Sequence, residues 1–368
     1  MVKTVLIYST AYLPAIGGAE RAIEEITARL SQSHRFVLVT ARLSRTSPRL
    51  ERIGAVDIIR VGVGVPFIDK LLLATSGARV GAQALSNKPA DVVWASMASY
   101  GGLAALGYKE KCPSAHFLLT LQEGDEFTHI ARRARWIKKR FRNIFIRADA
   151  IQAISQYLAR WAESMGATVP IVIVPNGVDV HKFTYRHPHV NKKDIQLITT
   201  SRLVKKNAVD DTIRSLVHLP DTVTLTIVGD GVERKNLEAL TGSLNLSSRV
   251  EFVGAKVSAQ IPQILSQADI FVRPSLSEGL GNSFLEAFAV GLPVIATPVG
   301  GISDFLIDGE TGWFAEVRNP ESIASCVRYI SDSAHSEHVQ RVTTTARTLV
   351  ERVYTWDVVT ESIRQLLS

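Results

Sequence analysis

The sequence predicts an α/β protein of two domains, each a parallel sheet covered by helices on both faces. Three observations lead there. Apolar, β-rich runs alternate with helical patterns, the alternation runs twice, and 368 residues exceed what one compact core usually organises.

In the first half, the runs expected to be strands are Thr4–Tyr8, Phe36–Thr40, Val56–Val61, Val92–Ala95, His116–Leu121, Ala150–Ile154 and Ile171–Val174. The clearest helical pattern among them is Glu20–Leu30. In the second half, strands are expected at Gln196–Thr200, Thr224–Val228, Val250–Val253, Ile270–Pro274 and Pro293–Ala296. Helical stretches at Asp210–Leu219, Glu233–Leu240 and Gln260–Gln267 separate them. Strands that alternate with helices pair in parallel and are buried on both faces, so the pattern gives two Rossmann-like domains. The expected division is 1–180 and 190–350, with the boundary after Pro175-Asn176-Gly177-Val178-Asp179, in a stretch rich in His, Pro and Lys that ends at Lys193. Trp356, Val359, Ile363 and Leu366 recur on one face of Thr355–Leu367, which reads as a closing amphipathic helix.

Composition narrows the class. Hydrophobic residues make up 46% and charged residues 21%, the balance of a globular protein. No apolar run is long enough to cross a bilayer, and Val5–Tyr8 is too short for a signal-peptide core. Cys112 and Cys326 stand far apart without metal-ligand company, so two buried, inert thiols and a cytoplasmic setting are expected. The net charge of +7 is local: residues 131–147 carry eight basic side chains and no acidic one, leaving 34 Lys and Arg against 35 Asp and Glu elsewhere. On a helix, Ile137, Phe141, Ile144, Phe145 and Ala148 share one face, with Arg132, Arg135, Lys138, Lys139 and Arg142 largely elsewhere. Such a helix suits an anionic membrane surface or an anionic acceptor, and equally a solvated basic face on a packed helix. Nucleic acid is not an expected partner, because no nucleic-acid motif occurs and aromatic residues do not interleave with basic ones elsewhere.

In open parallel sheets, ligands bind beyond the carboxyl ends of the strands. The first strand leads into Pro14-Ala15-Ile16-Gly17-Gly18-Ala19-Glu20, where Gly17 and Gly18 let backbone approach a phosphate at a helix N-terminus. A plain glycine turn explains the same residues. The strand ending at Thr200 leads into Ser201-Arg202-Leu203-Val204-Lys205-Lys206-Asn207, whose arginine can fork onto a diphosphate. Surface basic residues are common, and this one can be merely that. The strongest stretch is Pro274-Ser275-Leu276-Ser277-Glu278-Gly279-Leu280-Gly281-Asn282-Ser283-Phe284-Leu285-Glu286-Ala287-Phe288. Gly279 and Gly281 shape a loop that feeds a helix capped near Asn282 or Ser283. Glu286 is the single charge in an otherwise apolar helix, so it needs donors: a ribose diol, or an arginine in a core ion pair. Glu278 is placed to meet sugar hydroxyls, and Pro298-Val299-Gly300-Gly301 forms a further loop suited to close backbone approach.

The two glutamates with seven residues between them, within SEGLGNSFLEAFAVGLPVIATPVGG, resemble the signature of the family 4 retaining glycosyltransferases, the glycosyl transferases group 1. Gly17-Gly18-Ala19-Glu20, Asn176-Gly177-Val178-Asp179, Ser201-Arg202-Leu203 and Val228-Gly229-Asp230-Gly231 match in the expected order. The resemblance implies the GT-B fold, two Rossmann-like domains facing across a cleft, with the donor on the second and the acceptor on the first. It implies that Arg202 and Lys206 stabilise the leaving diphosphate and that Glu286 holds the ribose. Glu278 with Gly279, Leu280, Gly281, Asn282 and Ser283 would hold the sugar, and Gly17 and Gly18 would close over the phosphates. The family often places its phosphate lysine immediately before a glycine, at the position filled here by Asn207, so Lys206 takes that part from one residue earlier. Where many members carry a histidine after the fifth strand, this chain has Gln122, beside Glu123 and Asp125, which are acceptor candidates or simply flank a turn. His116 is expected to be a core residue. Asp-x-Asp occurs nowhere, so no metal and no cofactor are expected, with a UDP- or GDP-sugar as substrate and a glycan or lipid-linked acceptor. If the basic segment lies on an anionic surface, a place at the inner face of the cell membrane is the expectation; if it is a solvated face, a cytoplasmic one. An epimerase of the same architecture and a non-catalytic glycan-assembly module are the rivals; a dinucleotide-dependent dehydrogenase lacks its glycine spacing.

Overall fold

Seven parallel strands and one antiparallel edge strand make the first sheet of the computed structural model. They are β1 (Lys3–Ser9), β2 (His34–Ala41), β3 (Leu50–Ile53), β4 (Val56–Val61), β5 (Val92–Ser96), β6 (His116–Leu121), β7 (Ala150–Ala153) and β8 (Ile171–Ile173). Their order is β3-β4-β2-β1-β5-β6-β7-β8, with only β3 antiparallel to its neighbour. The structure describes residues 2–14, 17–86, 88–125, 127–133, 135–186 and 194–368. Val5, Leu6, Ile7 and Tyr8 of β1 are all fully buried, as a central strand covered on both faces requires.

The helices of this unit are α1 (Gly18–Leu30), α2 (Pro66–Ala84), α3 (Tyr100–Lys111), α4 (Phe127–Arg133), α5 (Lys138–Ile146) and α6 (Gln156–Ser164). α2 approaches its neighbours through glycines. A Cβ at Gly77 would lie 2.9 Å from that of Ala104, and one at Gly81 only 2.2 Å from the Tyr8 hydroxyl. The basic segment is not one helix: α4 and α5 are separate, with a 3-10 turn at Arg135–Ile137. Phe141, Ile144 and Phe145 face inward, and Phe145 meets Trp161 edge-on at 5.0 Å. Arg132, Arg135, Lys138, Lys139 and Arg142 are exposed, as is Trp136.

The second sheet consists of β9 (Ile195–Thr200), β10 (Val223–Val228), β11 (Val250–Gly254), β12 (Ile270–Arg273), β13 (Val294–Ala296) and β14 (Trp313–Phe314). Its order is β11-β10-β9-β12-β13-β14, and every neighbouring pair is parallel. Around it lie α7 (Val209–Ser215), α8 (Arg234–Ser243), α9 (Ile261–Leu265), α10 (Asn282–Val290), α11 (Pro320–Ser331) and α12 (Ser336–Val353). α10 is buried nearly all round, and its Phe284 and Phe288 rings both meet Phe305 at 5.8 Å.

The chain divides into one unit of Met1–Gly177 with Trp356–Ser368 and another of Val178–Thr355. Of the stretch that the sequence reading placed at the boundary, 187–193 lies outside the described residues. The last helix, α13 (Trp356–Leu366), completes the first unit. Its Trp356, Val359 and Ile363, with Leu367, join Ile23, Ile26 and Leu30 in one buried cluster. Gly177 allows this fit, since a Cβ there would lie 2.7 Å from the Trp356 ring.

Among the described residues, no helix is long and apolar enough to cross a membrane. Cys112 and Cys326 are unbridged and half-buried rather than buried. Burial pushes the Cys326 thiol up to about 11, so the thiolate is scarce near neutral pH. His116 is half-buried at the start of β6, at the opposite end of the strand from Gln122, rather than in the core.

Candidate functional site

Strand order reverses once in each sheet, between β1 and β5 and between β9 and β12, and doubly wound sheets bind ligands beyond such points. In the second unit, Ser201-Arg202-Leu203 leaves β9 there, underlaid by the loop that follows β10. Ser201 donates its amide to the Val228 carbonyl at 3.0 Å, and Leu203 to that of Asp230 at 2.9 Å. The glycines make this possible. A Cβ at Gly229, where φ is +144°, would lie 1.8 Å from the Ser201 carbonyl oxygen, and one at Gly231 would lie 2.3 Å from that of Leu203. Arg202 is exposed on top of this support, and Lys206 half-buried.

Lys205–Asn207 forms a 3-10 turn that ends on Ala208 in the left-handed region, φ +48°. Asn207 is buried. Its amide nitrogen donates to the Arg202 carbonyl at 2.6 Å, and its amide oxygen accepts from Arg273 Nη2 at 3.2 Å. The side chain is thus committed within the protein, whereas Lys206 contributes its carbonyl to the Leu276 amide at 2.6 Å. That last bond joins the turn to the loop before α10.

On this loop Glu278 is buried, and its carboxylate forms an ion pair with Arg273, the last residue of β12. Its carbonyl accepts from Gly301 at 3.0 Å; Gly300, at φ +59°, leaves no room for a Cβ, which would lie 1.9 Å from that oxygen. Pro298-Val299-Gly300-Gly301 therefore backs the Glu278 loop. Gly279 and Leu280 follow, Leu280 being buried. Gly281, at φ +88°, occupies the cap position of α10, so Asn282 and Ser283 lie inside the first turn instead of capping it. Ser283 Oγ accepts from Arg273 Nη1 at 2.7 Å. Glu286, expected to be buried, is half-buried in an otherwise closed helix. Thr200 Oγ1, Ser201 Oγ and Ser275 Oγ, around the same reversal point, are buried with no hydrogen-bond partner among the described residues.

In the first unit, Gly17 is the N-cap of α1 with φ −133°, a conformation any residue adopts, and Gly18 opens the helix; both are exposed. Ala15 and Ile16 lie outside the described residues. Arg60, which sequence reasoning missed, is buried, paired with Glu51, and donates to the Leu13 carbonyl at 2.6 Å, tethering the loop that precedes those glycines.

Beyond β5 the backbone is strained: Met97 has φ +76°. The next residue, Ala98, donates its amide to Glu123 Oε1 at 2.6 Å, and Gln122 donates its own to Oε2 at 2.9 Å. Burial pushes the Glu123 carboxyl up to about 7, against the pull of those amides and with the negative charge of Asp125 adding to the rise. The Gln122 side-chain oxygen accepts from Asn176 at 3.0 Å, and Asp125 is exposed. Thr10 and Ser99 share a hydrogen bond at 2.8 Å across the β1–β5 reversal. Among the described residues, no group of three or more His, Cys, Asp or Glu is placed to hold a metal ion.

Known proteins resemble the chain along most of its length. Residues 16–182 match the model of Glycosyltransferase Family 4, and residues 182–348 that of Glycosyl transferases group 1. The chain is 27% identical over 237 residues to the Salmonella typhimurium protein WcaL, covering 62% of this chain and 58% of that one. It is 26% identical over 347 residues to the GDP-mannose-dependent alpha-(1-6)-phosphatidylinositol monomannoside mannosyltransferase of Mycolicibacterium smegmatis, covering 88% of each. Among solved structures, Anabaena HepE in complex with UDP and glucose superposes with a TM-score of 0.80 at 17% identity over 99% of both chains, a likeness of fold.

Proposed function

The chain belongs to glycosyltransferase family 4, the glycosyl transferases group 1, and from that premise we propose that it moves a hexose from a nucleotide sugar to a glycan or lipid-linked acceptor, retaining configuration and using no metal. The observation that carries this reading is the 2.6 Å bond from Leu276 to Lys206, which gathers two cations and the N-terminus of α10 at the strand-order reversal of the second sheet. A diphosphate suits that combination of helix-terminal amides and positive charge. Arg202 and Lys206 would hold the negative charge that develops as the bond from the sugar C1 to the diphosphate breaks, a term that often dominates catalysis. The acceptor oxygen bonds to C1 on the same face and passes its proton to the departing phosphate. Glu278 with the amides of Gly279 to Asn282 would take the sugar hydroxyls, and Glu286 the ribose diol. Gln122, Glu123 and Asp125 are the acceptor candidates.

The UDP and glucose in the Anabaena structure and the GDP-mannose named for the mycobacterial relative support a UDP- or GDP-sugar as the donor. The exposed basic side chains of 131–147 support a berth at an anionic membrane surface, on its cytoplasmic side. Replacing Arg132, Arg135, Lys138, Lys139 and Arg142 by glutamine is expected to abolish binding to vesicles containing anionic lipid; unchanged binding would remove the berth.

Calorimetry with UDP, GDP, ADP and their common sugar conjugates tests the donor site. One nucleotide is expected to bind selectively, and Arg202→Ala to lose at least tenfold in affinity while remaining folded. Wild-type affinity in that variant would remove Arg202 from the site. Turnover is expected to survive a chelator, and strict dependence on a divalent ion would overturn the metal-free reading.

A further inference from the structure

Three segments carry the donor groups of that reading: the turn 202–207, the loop 276–281 and the first turn of α10. One side chain reaches all three. The guanidinium of Arg273 donates through Nη1 to Ser283 Oγ at 2.7 Å, and through Nη2 to Asn207 Oδ1 at 3.2 Å and to the Glu278 carboxylate. Asn207 in turn donates to the Arg202 carbonyl at 2.6 Å. Arg273 is only 8% exposed, ends β12 in register with Ala296 of β13, and lies 5.3 Å over the Phe284 ring. It is thus a fixed post within the sheet, to which the three segments are tied.

We propose that Arg273 is a positioning residue of the donor site, holding Arg202, Glu278 and the start of α10 in their working arrangement without touching the nucleotide. The proposal rests on the donor-site reading above. Geometry favours it over a plain core ion pair. A carboxylate alone would satisfy the charge, yet the fork is spread over three chain segments, which a lysine's single nitrogen cannot match. Because Glu278 balances the charge of Arg273, the pair adds no net charge to the site. Arg202 and Lys206 keep the part that the donor reading gives them. The pair also gives Glu278 a specific part, since with Oε2 held by Arg273 it serves as an oriented acceptor of hydrogen bonds from hydroxyls. Asn207 has the same logic: it is the adapter between post and turn.

Two variants test this. Arg273→Lys keeps the charge and loses the fork. The pair Arg273→Gln/Glu278→Gln removes both charges together, avoiding the uncompensated buried charge that a single neutral substitution leaves. The probes are UDP and GDP, which lack the transferred hexose and so do not report on Glu278 directly. Both variants are expected to unfold cooperatively and to bind the preferred nucleotide at least tenfold more weakly than wild type. Amide exchange supplies a second readout that needs no ligand. The amides of Leu276 and Gly301, bonded to the Lys206 and Glu278 carbonyls, are expected to exchange at least tenfold faster, with those of Phe288 and Ala289 inside α10 unchanged. Full affinity in Arg273→Lys would overturn the fork. Wild-type affinity with unchanged exchange in the pair variant would overturn the whole proposal. If the wild-type protein binds neither probe, the donor-site reading fails by itself, and exchange alone decides whether Arg273 orders these segments.

Discussion

Glu123 is buried at the carboxyl edge of the first sheet, and its two oxygens hold the amides of Ala98 and Gln122. With its folded pKa raised to about 7, the folded chain keeps a proton that the unfolded chain releases near the ordinary value for glutamate. Stability contributed by this unit therefore falls as pH rises from the ordinary glutamate value to about 7, and levels off above it, by up to ~3 kcal/mol. Urea midpoints of the wild type at pH 5 and pH 8 are expected to show that fall, and Glu123→Gln to flatten it; an equal slope in the variant would exclude Glu123 as its source. Gly300 supports a second expectation. Its φ of +59° and a Cβ placed 1.9 Å from the Glu278 carbonyl should make Gly300→Ala cost roughly 2 kcal/mol or more, seen as a lower thermal midpoint and weaker donor binding. The glycine pairs, Arg202 and the spaced glutamates stood out in the sequence because they lie in stretches that run from the end of a strand into the next helix. Arg273 and Asn207 were not: an arginine ending a strand reads as a surface charge, and only the fold brings it to Asn207, 66 residues away.

Elements were legible where their apolar period was clean. α1 and α13 show one buried stripe each and were read from it. α2, the longest helix of its unit, was not, because it packs through Gly77, Ala78 and Gly81, small residues that carry no hydrophobic signal. β3 escaped for another reason: it is four residues long, at an edge, with Leu50 exposed. The basic segment was read as one helix because its charge is continuous, but the chain divides it at Arg135–Ile137. At this scale α13 makes the sharpest prediction. Trp356 is 3% exposed and packed on Gly177, so Trp356→Ala should cost about 3–5 kcal/mol, measured by chemical unfolding. A loss under ~1 kcal/mol would mean that α13 is not part of the first unit's core.

The chain forms two doubly wound units, and the first, whose strands all come from residues 3–173, is completed by the distant helix α13. Residues 178–355 expressed alone are expected to fold and unfold cooperatively. Residues 1–177 alone should expose apolar surface to a fluorescent dye, and a peptide of 356–368 should quench it. A fragment 1–177 that is already closed and dye-silent would refute that dependence.

The discontinuity matters on the ribosome. Residue 177 is made long before Trp356, and at roughly 5–20 residues per second the delay is on the order of 10 to 35 seconds. Through that interval the nascent first unit holds Ile23, Ile26 and Leu30 uncovered, while residues 178–355 are being added and the second unit gains its last residue just before Trp356 is made. The second unit is thus complete in sequence before the first. A chain broken off before Trp356 leaves that apolar groove open to water, the kind of exposed surface that invites aggregation.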